Sequence, residues 1–184
     1  MSQRSRPQDQ GYVFSRMCRG NMLGNGSSAL MRREAVLAVG GYNVDLRAHD
    51  AQGCEDMALY LALSETYPFA CVPAFLTGYR VDENSMSGDL MRMGRSYALA
   101  TQDVRARRPE REDDFLVGDI EVARWLLIRA LRRGQISVAR QVLAQLSALD
   151  RGAAIRSILR MPLHFTRLGL EAVGRILVKP RPFL

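Results

Sequence analysis

The run EDMALYLALS at residues 55–64 constrains this chain more than any other stretch. Leu, Ala and Met are strong helix formers, and two acids at its start suit the positive end of a helix. Between Met57 and Leu63, however, apolar side chains fall on nearly every side of the turn, so no face is left for water. A helix of this kind must be enclosed by other elements, and Pro68 marks where it can no longer continue. With 184 residues and 47% hydrophobic content, the chain has material for one such core and an added helical layer.

Ahead of that helix, Ser28, Leu30 and Arg32 alternate with Ala29 and Met31, a period of two that predicts a short strand. A helix follows from Glu34 to Val39, and the Gly40-Gly41 pair stops it with a left-handed cap. A loop through Asp45, His49 and Asp50 then reaches Gly53. Beyond Pro68, FACVPAFLTGYRV is rich in aromatic and β-branched residues and predicts an edge strand, or two short pieces, broken at Pro73. The expected fold is therefore α/β over residues 21–108, behind a flexible polar start at residues 1–20.

From Leu90 onward the pattern becomes helical, and residues 109–184 read as a helical extension. A charged linker, RARRPEREDD, leads into GDIEVARWLLIRALRRG. There Ile120, Ala123, Leu127 and Leu131 share one stripe, widened by Trp125 and Ile128. Ser137 is placed to cap the next helix, whose core side carries Val138, Val142, Leu146 and Leu149. The pair predicts an antiparallel hairpin joined at Gly134-Gln135. The tail, residues 151 to 184, alternates arginine with Ile155, Ile158, Leu159, Leu168, Val173, Ile176 and Leu177. That pattern suits packing on the hairpin or lying on a membrane surface, with packing the default for an amphipathic helix.

The formal net charge of +7 comes from 25 arginines and Lys179. Arginine's planar fork matches phosphate oxygens, so a basic surface suits a diphosphate, an anionic lipid face or nucleic acid. The arginines are scattered from Arg4 to Arg181 without an aromatic-interleaved stripe, which argues against nucleic acid. Cys18, Cys54 and Cys71 stand 36 and 17 residues apart, the spacing of neither a redox pair nor a zinc knuckle. They read as reduced, buried thiols of a cytoplasmic protein. No apolar run is long enough to span a bilayer, and MSQRSRPQDQGY has no apolar signal region. His49 reads as a solvated loop side chain, and His164 has no acidic or cysteine partner at ligand spacing.

Taken in order, GNGSSALMRREAVLAVGGYNVDL, GCEDMALYLAL and VPAFLTGYRVDENSMS resemble the second half of the family 2 glycosyltransferase domain. The shared order is a Ser-rich strand ending in Arg, a helix, a Gly-Gly-aromatic turn, an acidic pair, and a Tyr-Arg strand followed by Ser-x-Ser, spanning residues 21 to 87. The resemblance implies a partial GT-A, Rossmann-like half-domain. It also implies inverting transfer of a sugar from a nucleotide-sugar donor to a hydroxyl of a glycan or lipid-linked acceptor, in bacterial polysaccharide assembly. By resemblance Asp56 is the catalytic base, and Glu55 its neighbour that orients the acceptor or the loop. Tyr79, Arg80, Ser85 and Ser87 would belong to a loop closing over the diphosphate. Asp82 stands where the family often has histidine, and is the candidate metal ligand.

The chemistry asks for such a base. An acceptor hydroxyl sheds its proton as it attacks the anomeric carbon, and a carboxylate within hydrogen-bond reach takes it. The start of a buried helix puts a carboxylate at the edge of the core, where the helix end favours its ionised form. Alternatively, Glu55 and Asp56 serve only the first-turn dipole. Gly26, Ser27 and Ser28, together with Gly24, either pass close under sugar or acceptor with hydroxyls free to bond, or make a plain turn.

The family's first half carries the nucleotide-binding sheet and an Asp-x-Asp for a divalent cation, Mg or Mn, expected of the complete enzyme. Only twenty residues precede Asn21, and they hold one aspartate, Asp9, and no βαβ pattern. The donor half is thus expected to be absent, and no cation is expected to bind this chain alone. A sheet lacking its neighbours would bare an edge and an apolar face, so a partner chain or second copy is expected over it. The competing reading is a non-catalytic binding module, in which the hairpin from Gly118 to Leu149 docks a partner beside a vestigial transferase. A third is a basic peripheral-membrane protein held at the inner membrane face by residues 151 to 179.

Overall fold

The structure is a computed structural model that describes residues 10–74, 76–78 and 88–157. Among them the chain forms α1 (Phe14–Cys18), α2 (Arg33–Ala38), α3 (Asp45–Ala48), α4 (Glu55–Ser64), α5 (Leu90–Arg107), α6 (Glu112–Arg132) and α7 (Ile136–Leu149). A 3-10 turn at Pro109–Arg111 joins α5 to α6, and residues 151–157 are helical again.

Helix α4 is enclosed as its sequence requires: Met57, Leu59, Tyr60, Leu61, Leu63 and Ser64 are all buried. Met17 and Cys18 of α1, Tyr97, Ala100 and Val104 of α5, and Phe115 of α6 close around it. Met22, Leu23, Ala29, Met31 and Phe69 fill in from the irregular segments. Each large side chain fully buried here stabilises by about 1.5–3 kcal/mol, so the helix is held by its surroundings rather than by its propensity. A second core joins Leu90 of α5, Ala123, Leu126, Leu127 and Ala130 of α6, and Ala139, Val142 and Leu146 of α7. Met93 and Val122 pack against both cores, which makes the interior continuous.

The α6–α7 hairpin forms at the expected place. Gly134 donates its N–H to Leu131 O at 3.1 Å and Gln135 to Ala130 O at 2.9 Å, which closes α6 and turns the chain into α7. The same pair of bonds, Gly40 to Leu37 O and Gly41 to Val36 O, ends α2 where the glycine pair was expected to stop it. Details differ. Trp125 lies outside the stripe, with the Arg129 guanidinium 4.7 Å over its ring, and Leu126 and Ala130 are buried beside Ala123 and Leu127 instead. Leu149 is exposed, and Ser137 does not cap α7, which starts one residue earlier behind Gln135. RARRPEREDD is not an open linker: Arg105 reaches across the turn to Glu112 at 3.0 Å and Asp119 at 2.7 Å, so helix resumes almost at once.

The expected α/β, Rossmann-like half-domain is overturned. The described residues contain no strand and no sheet, only an isolated antiparallel bridge between Gly11 and Phe69. The alternation at residues 28–32 is nevertheless real: Ala29 and Met31 pack on the α4 core, while Ser28, Leu30 and Arg32 are exposed. A period of two records an extended backbone turning side chains to opposite sides; it does not supply the neighbouring strand that a ladder needs. Here the inward residues find a helix. Beyond Pro68, Val72 and Leu76 are likewise exposed, and among the described residues of that segment only Phe69 pairs.

Two contacts lock α1 against α6. Asp114, buried on α6, accepts from Ser15 Oγ and Arg19 Nε, each at 2.7 Å, with Arg111 at 3.5 Å. Burial alone would raise its pKa, but the Ser15 hydroxyl and the arginines outweigh it and hold the carboxyl below its usual value. One turn later, Gly118 presents bare backbone to α1 and α5: a Cβ there would come within 2.5 Å of Cys18 O and 2.6 Å of the Tyr97 hydroxyl.

Helix-interior glycines should therefore respond in opposite directions to alanine. Gly118→Ala is expected to cost about 1–3 kcal/mol through overpacking. Gly94→Ala on α5, where the new Cβ would sit 3.5 Å from Leu126 Cδ1, is expected to stabilise by about 0.5–1 kcal/mol. Urea denaturation of the two variants measures both signs. Asp114→Asn is expected to destabilise by about 1–3 kcal/mol at neutral pH. Because the folded pKa is depressed, that contribution is complete above the unfolded value near 3.9 and is lost as pH falls through the folded one. The gap between variant and wild type should accordingly narrow in acid-denaturation curves.

Candidate functional site

The first turn of α4 is positioned from behind by α5. Cys54, just before the helix, donates its N–H to Ser96 Oγ at 2.9 Å, and Ser96 is fully buried. Gly53 adopts φ +124°, which L side chains avoid, and a Cβ there would run into Met93 Sδ. Asp50 extends to Arg92 and Arg95 at 3.1 and 3.3 Å. With the loop from Asp50 to Cys54 pinned in this way, the direction in which α4 starts is set.

The two acids of that turn divide their roles. Glu55 Oε2 accepts the Gly53 N–H at 2.8 Å, so this carboxylate braces the turn. Asp56 stands at the rim, half-buried, with Oδ1 accepting the Met57 N–H at 2.7 Å. Burial pushes its pKa above the usual carboxylate value; the Met57 N–H opposes this, and the Glu55 charge adds to it.

Over this rim lies the loop of residues 21–28. Asn21 Oδ1 accepts from the N–H groups of Leu23 and Gly24 at 3.1 and 3.0 Å, and Asn25 Oδ1 from that of Ser27 at 2.9 Å. Tyr60, one turn after Asp56, donates its hydroxyl to Asn25 O at 3.2 Å, which ties the loop to the face of α4 that bears Asp56. The Tyr60 pKa is pushed up to about 12, by burial first and then by the charges of Asp56 and Tyr42. At the nearest point of the loop stands Gly26, where a Cβ would lie 3.7 Å from Asp56 Cβ.

The structure thus brings together Asp56, Glu55 and Gly26 of the residues marked out in the sequence. Ser27 is exposed on the same loop. Ser28 is exposed too, but its hydroxyl donates into the carbonyls of Leu23 and Asn25, at 3.1 and 3.0 Å, so it serves the loop rather than standing free for a ligand. Tyr79, Arg80, Asp82, Ser85 and Ser87, like His164, lie outside the described residues. His49 is exposed, with Nδ1 2.8 Å from Asp45 O. Burial pushes the thiol pKa values of Cys18 and Cys54 up to about 12 and about 11, which makes both poor nucleophiles near neutrality. Ser96, Met93, Tyr60 and Asn25 were not among the residues marked out. Tyr60 alone carried a local signal, its i+4 spacing from Asp56.

Among the described residues no group of three or more His, Cys, Asp or Glu side chains is arranged to hold a metal ion. The candidate metal ligand Asp82 lies outside the described residues. A hollow of about 130 Å³ is lined by Ile120, Glu121, Arg124, Asp150, Ala153 and Arg156 and shares no residue with the Asp56 rim. Its charges pair among themselves, Arg124 with Glu121 at 2.6 Å and Arg156 with Asp150 at 3.2 Å. No helix among the described residues is long and apolar enough to cross a membrane. Comparison with protein-family models, curated proteins and solved structures found no match to this chain.

Carboxyl-carbon NMR titration should place Asp56 above the usual carboxylate value. Ser96→Ala removes the acceptor of a buried N–H, at an expected cost of about 1–3 kcal/mol, and should return the Asp56 titration toward that value as the turn loosens. An Asp56 titrating as an ordinary carboxylate in the intact protein would contradict the arrangement.

Proposed function

We propose that the rim around Asp56 is the catalytic-base side of an inverting glycosyl transfer, from a nucleotide-sugar to the hydroxyl of a glycan or lipid-linked acceptor. The observation that carries this reading is Asp56 itself. It is a half-buried carboxylate made more basic by burial, at the start of a wholly enclosed helix, with a glycine rather than a side chain at the nearest point of the facing loop. The ordered motifs from Asn21 to Ser87 supply the reaction class, by resemblance.

In this reading the acceptor hydroxyl hydrogen-bonds to the Asp56 carboxylate. Its oxygen attacks the anomeric carbon from the side opposite the nucleoside diphosphate. The carbon–oxygen bond to the diphosphate breaks, the leaving group takes the electron pair, and the hydroxyl proton passes to Asp56. A base whose pKa lies above that of a solvated carboxylate takes the proton more readily. The Met57 N–H fixes the orientation of the carboxylate, and Glu55 acts as a positioning residue through Gly53. Gly26 brings bare backbone against the base, where a Cβ would lie 3.7 Å from Asp56 Cβ.

The second reading, a binding module docking through the hairpin, is favoured by the apolar side chains exposed there, Trp125, Ile136 and Leu149. Calorimetric titration with nucleotide-sugars tests this second reading, since measurable uptake of donor by this chain alone would refute a docking module.

Transfer by the complete enzyme, with a nucleotide-binding half present, assayed with a panel of nucleotide-sugars and hydroxyl acceptors, should fall 10²–10⁴-fold, on the order expected for loss of a general base, in Asp56→Asn with the melting temperature retained. Since the ionised form is the base, wild-type rate should rise as pH climbs through the raised Asp56 pKa, at higher pH than for a solvated aspartate. Turnover unchanged by Asp56→Asn would refute the assignment.

A further inference from the structure

A positive φ suits glycine, and among the described residues every position that adopts one is glycine except Asp50, at φ +48°. Asp50 closes α3: its N–H donates to Arg47 O at 3.2 Å, and the next N–H, of Ala51, donates to Leu46 O at 2.9 Å. In that pair of bonds glycine is the usual residue at the left-handed position. A carboxylate at the carbonyl end of a helix is also disfavoured by the backbone dipoles. The local rules thus ask for glycine or asparagine, and the acid has to be explained by where its side chain goes.

It goes to two arginines one turn apart on α5. Arg92 Nη2 lies 3.1 Å from Oδ1 and Arg95 Nη2 3.3 Å from Oδ2, so one carboxylate spans two guanidinium groups. The ion pairs that tie other elements together are built differently. Arg19–Asp114, Arg105–Asp119 and Arg107–Glu65 close to 2.7, 2.7 and 2.8 Å, on carboxylates only 11 to 16% exposed. The Asp50 pairs are longer, and its side chain is 65% exposed. An ion pair so open to water is held weakly. Arg92 also keeps a buried Nε without a hydrogen-bond partner, 3.8 Å from Asp89 Oδ2. Asp89 itself is committed to α5, where Oδ1 accepts the Arg92 N–H at 2.9 Å.

We propose that Arg92 and Arg95 form a binding site for a phosphate dianion, a phosphomonoester or the end of a diphosphate, which the Asp50 carboxylate covers and the phosphate displaces. A phosphate brings a second charge and a third oxygen. These match two guanidinium forks and the Arg92 donor that the carboxylate leaves unused. Helix α4 keeps its start when Asp50 lets go, since Ser96 and Met93 hold Cys54 and Gly53 through contacts of their own. The proposal stands apart from the transferase reading, because it concerns uptake of phosphate by this chain and no turnover.

The test is NMR titration of the full chain with orthophosphate and with pyrophosphate, against sodium chloride at matched ionic strength. Phosphate, and not chloride, should shift the Nε signals of Arg92 and Arg95 and the carboxyl carbon of Asp50. Tighter uptake of pyrophosphate identifies a diphosphate ligand, and equal uptake a monoester. Asp50→Asn removes the competing charge and keeps a residue tolerated at this φ, so it should tighten uptake roughly tenfold with the melting temperature retained. Asp50→Gly should do the same. Arg92→Gln and Arg95→Gln should each weaken uptake on the order of tenfold. Shifts reproduced by chloride, uptake left unchanged or weakened by both Asp50 substitutions, or uptake that survives the two arginine substitutions together would overturn the proposal.

Discussion

A helix with no polar side can exist in water only if other parts of the chain surround it, and α4 imposes that condition on everything near it. Met57, Tyr60 and Leu61 are shut off from solvent because α1, α5, Phe115 and the segment through Ala29 and Met31 close over them from different directions. That enclosure holds α1, only five residues long and far too short to be stable alone, against α6 through Asp114 and Gly118. It also fixes where α4 begins. A buried body anchors the helix axis, the Ser96 bond to Cys54 fixes its start, Glu55 braces the turn through Gly53, and Asp56, oriented by the Met57 N–H, is left at the rim.

Much of this was legible in the residues. The all-round apolar pattern of residues 55–64 announced a buried helix, the Gly40-Gly41 pair announced the end of α2, and the stripe through Ala123 and Leu127 announced the hairpin. The strands were misread for a definable reason. Ala29 and Met31 do turn inward and Leu30 does turn outward, so the period of two was a true record of sides. Whether the inward side meets a sheet or a helix depends on what lies across the core, and periodicity within five residues holds no information about that. Trp125 shows the same limit in helical form: its place beside the stripe suggested core, while Arg129 offered it a cationic partner at the surface.

The candidate site was half legible. Asp56 and Gly26 were marked out as chemistry-bearing, and the fold sets them side by side across a thirty-residue gap. What holds them there was hidden. Ser96 and Met93 lie some forty residues downstream of the turn they brace, on a helix whose own pattern shows only that it has a buried side. Nor did residue type reveal that Ser28 closes its own loop, since a hydroxyl bonded to a carbonyl and one awaiting a ligand look alike in sequence.

The central claim is that the loop of residues 21–28 faces Asp56 across an all-helical core. It is tested most directly by nuclear Overhauser contacts in the isotopically labelled chain. The expected result is a cross-peak between the α-protons of Gly26 and the β-protons of Asp56, with Tyr60 ring protons reaching Asn25, and no cross-strand pattern at residues 28–32. Absence of the Gly26–Asp56 contact, or α-proton contacts pairing residues 28–32 with another strand among the described residues, would contradict it.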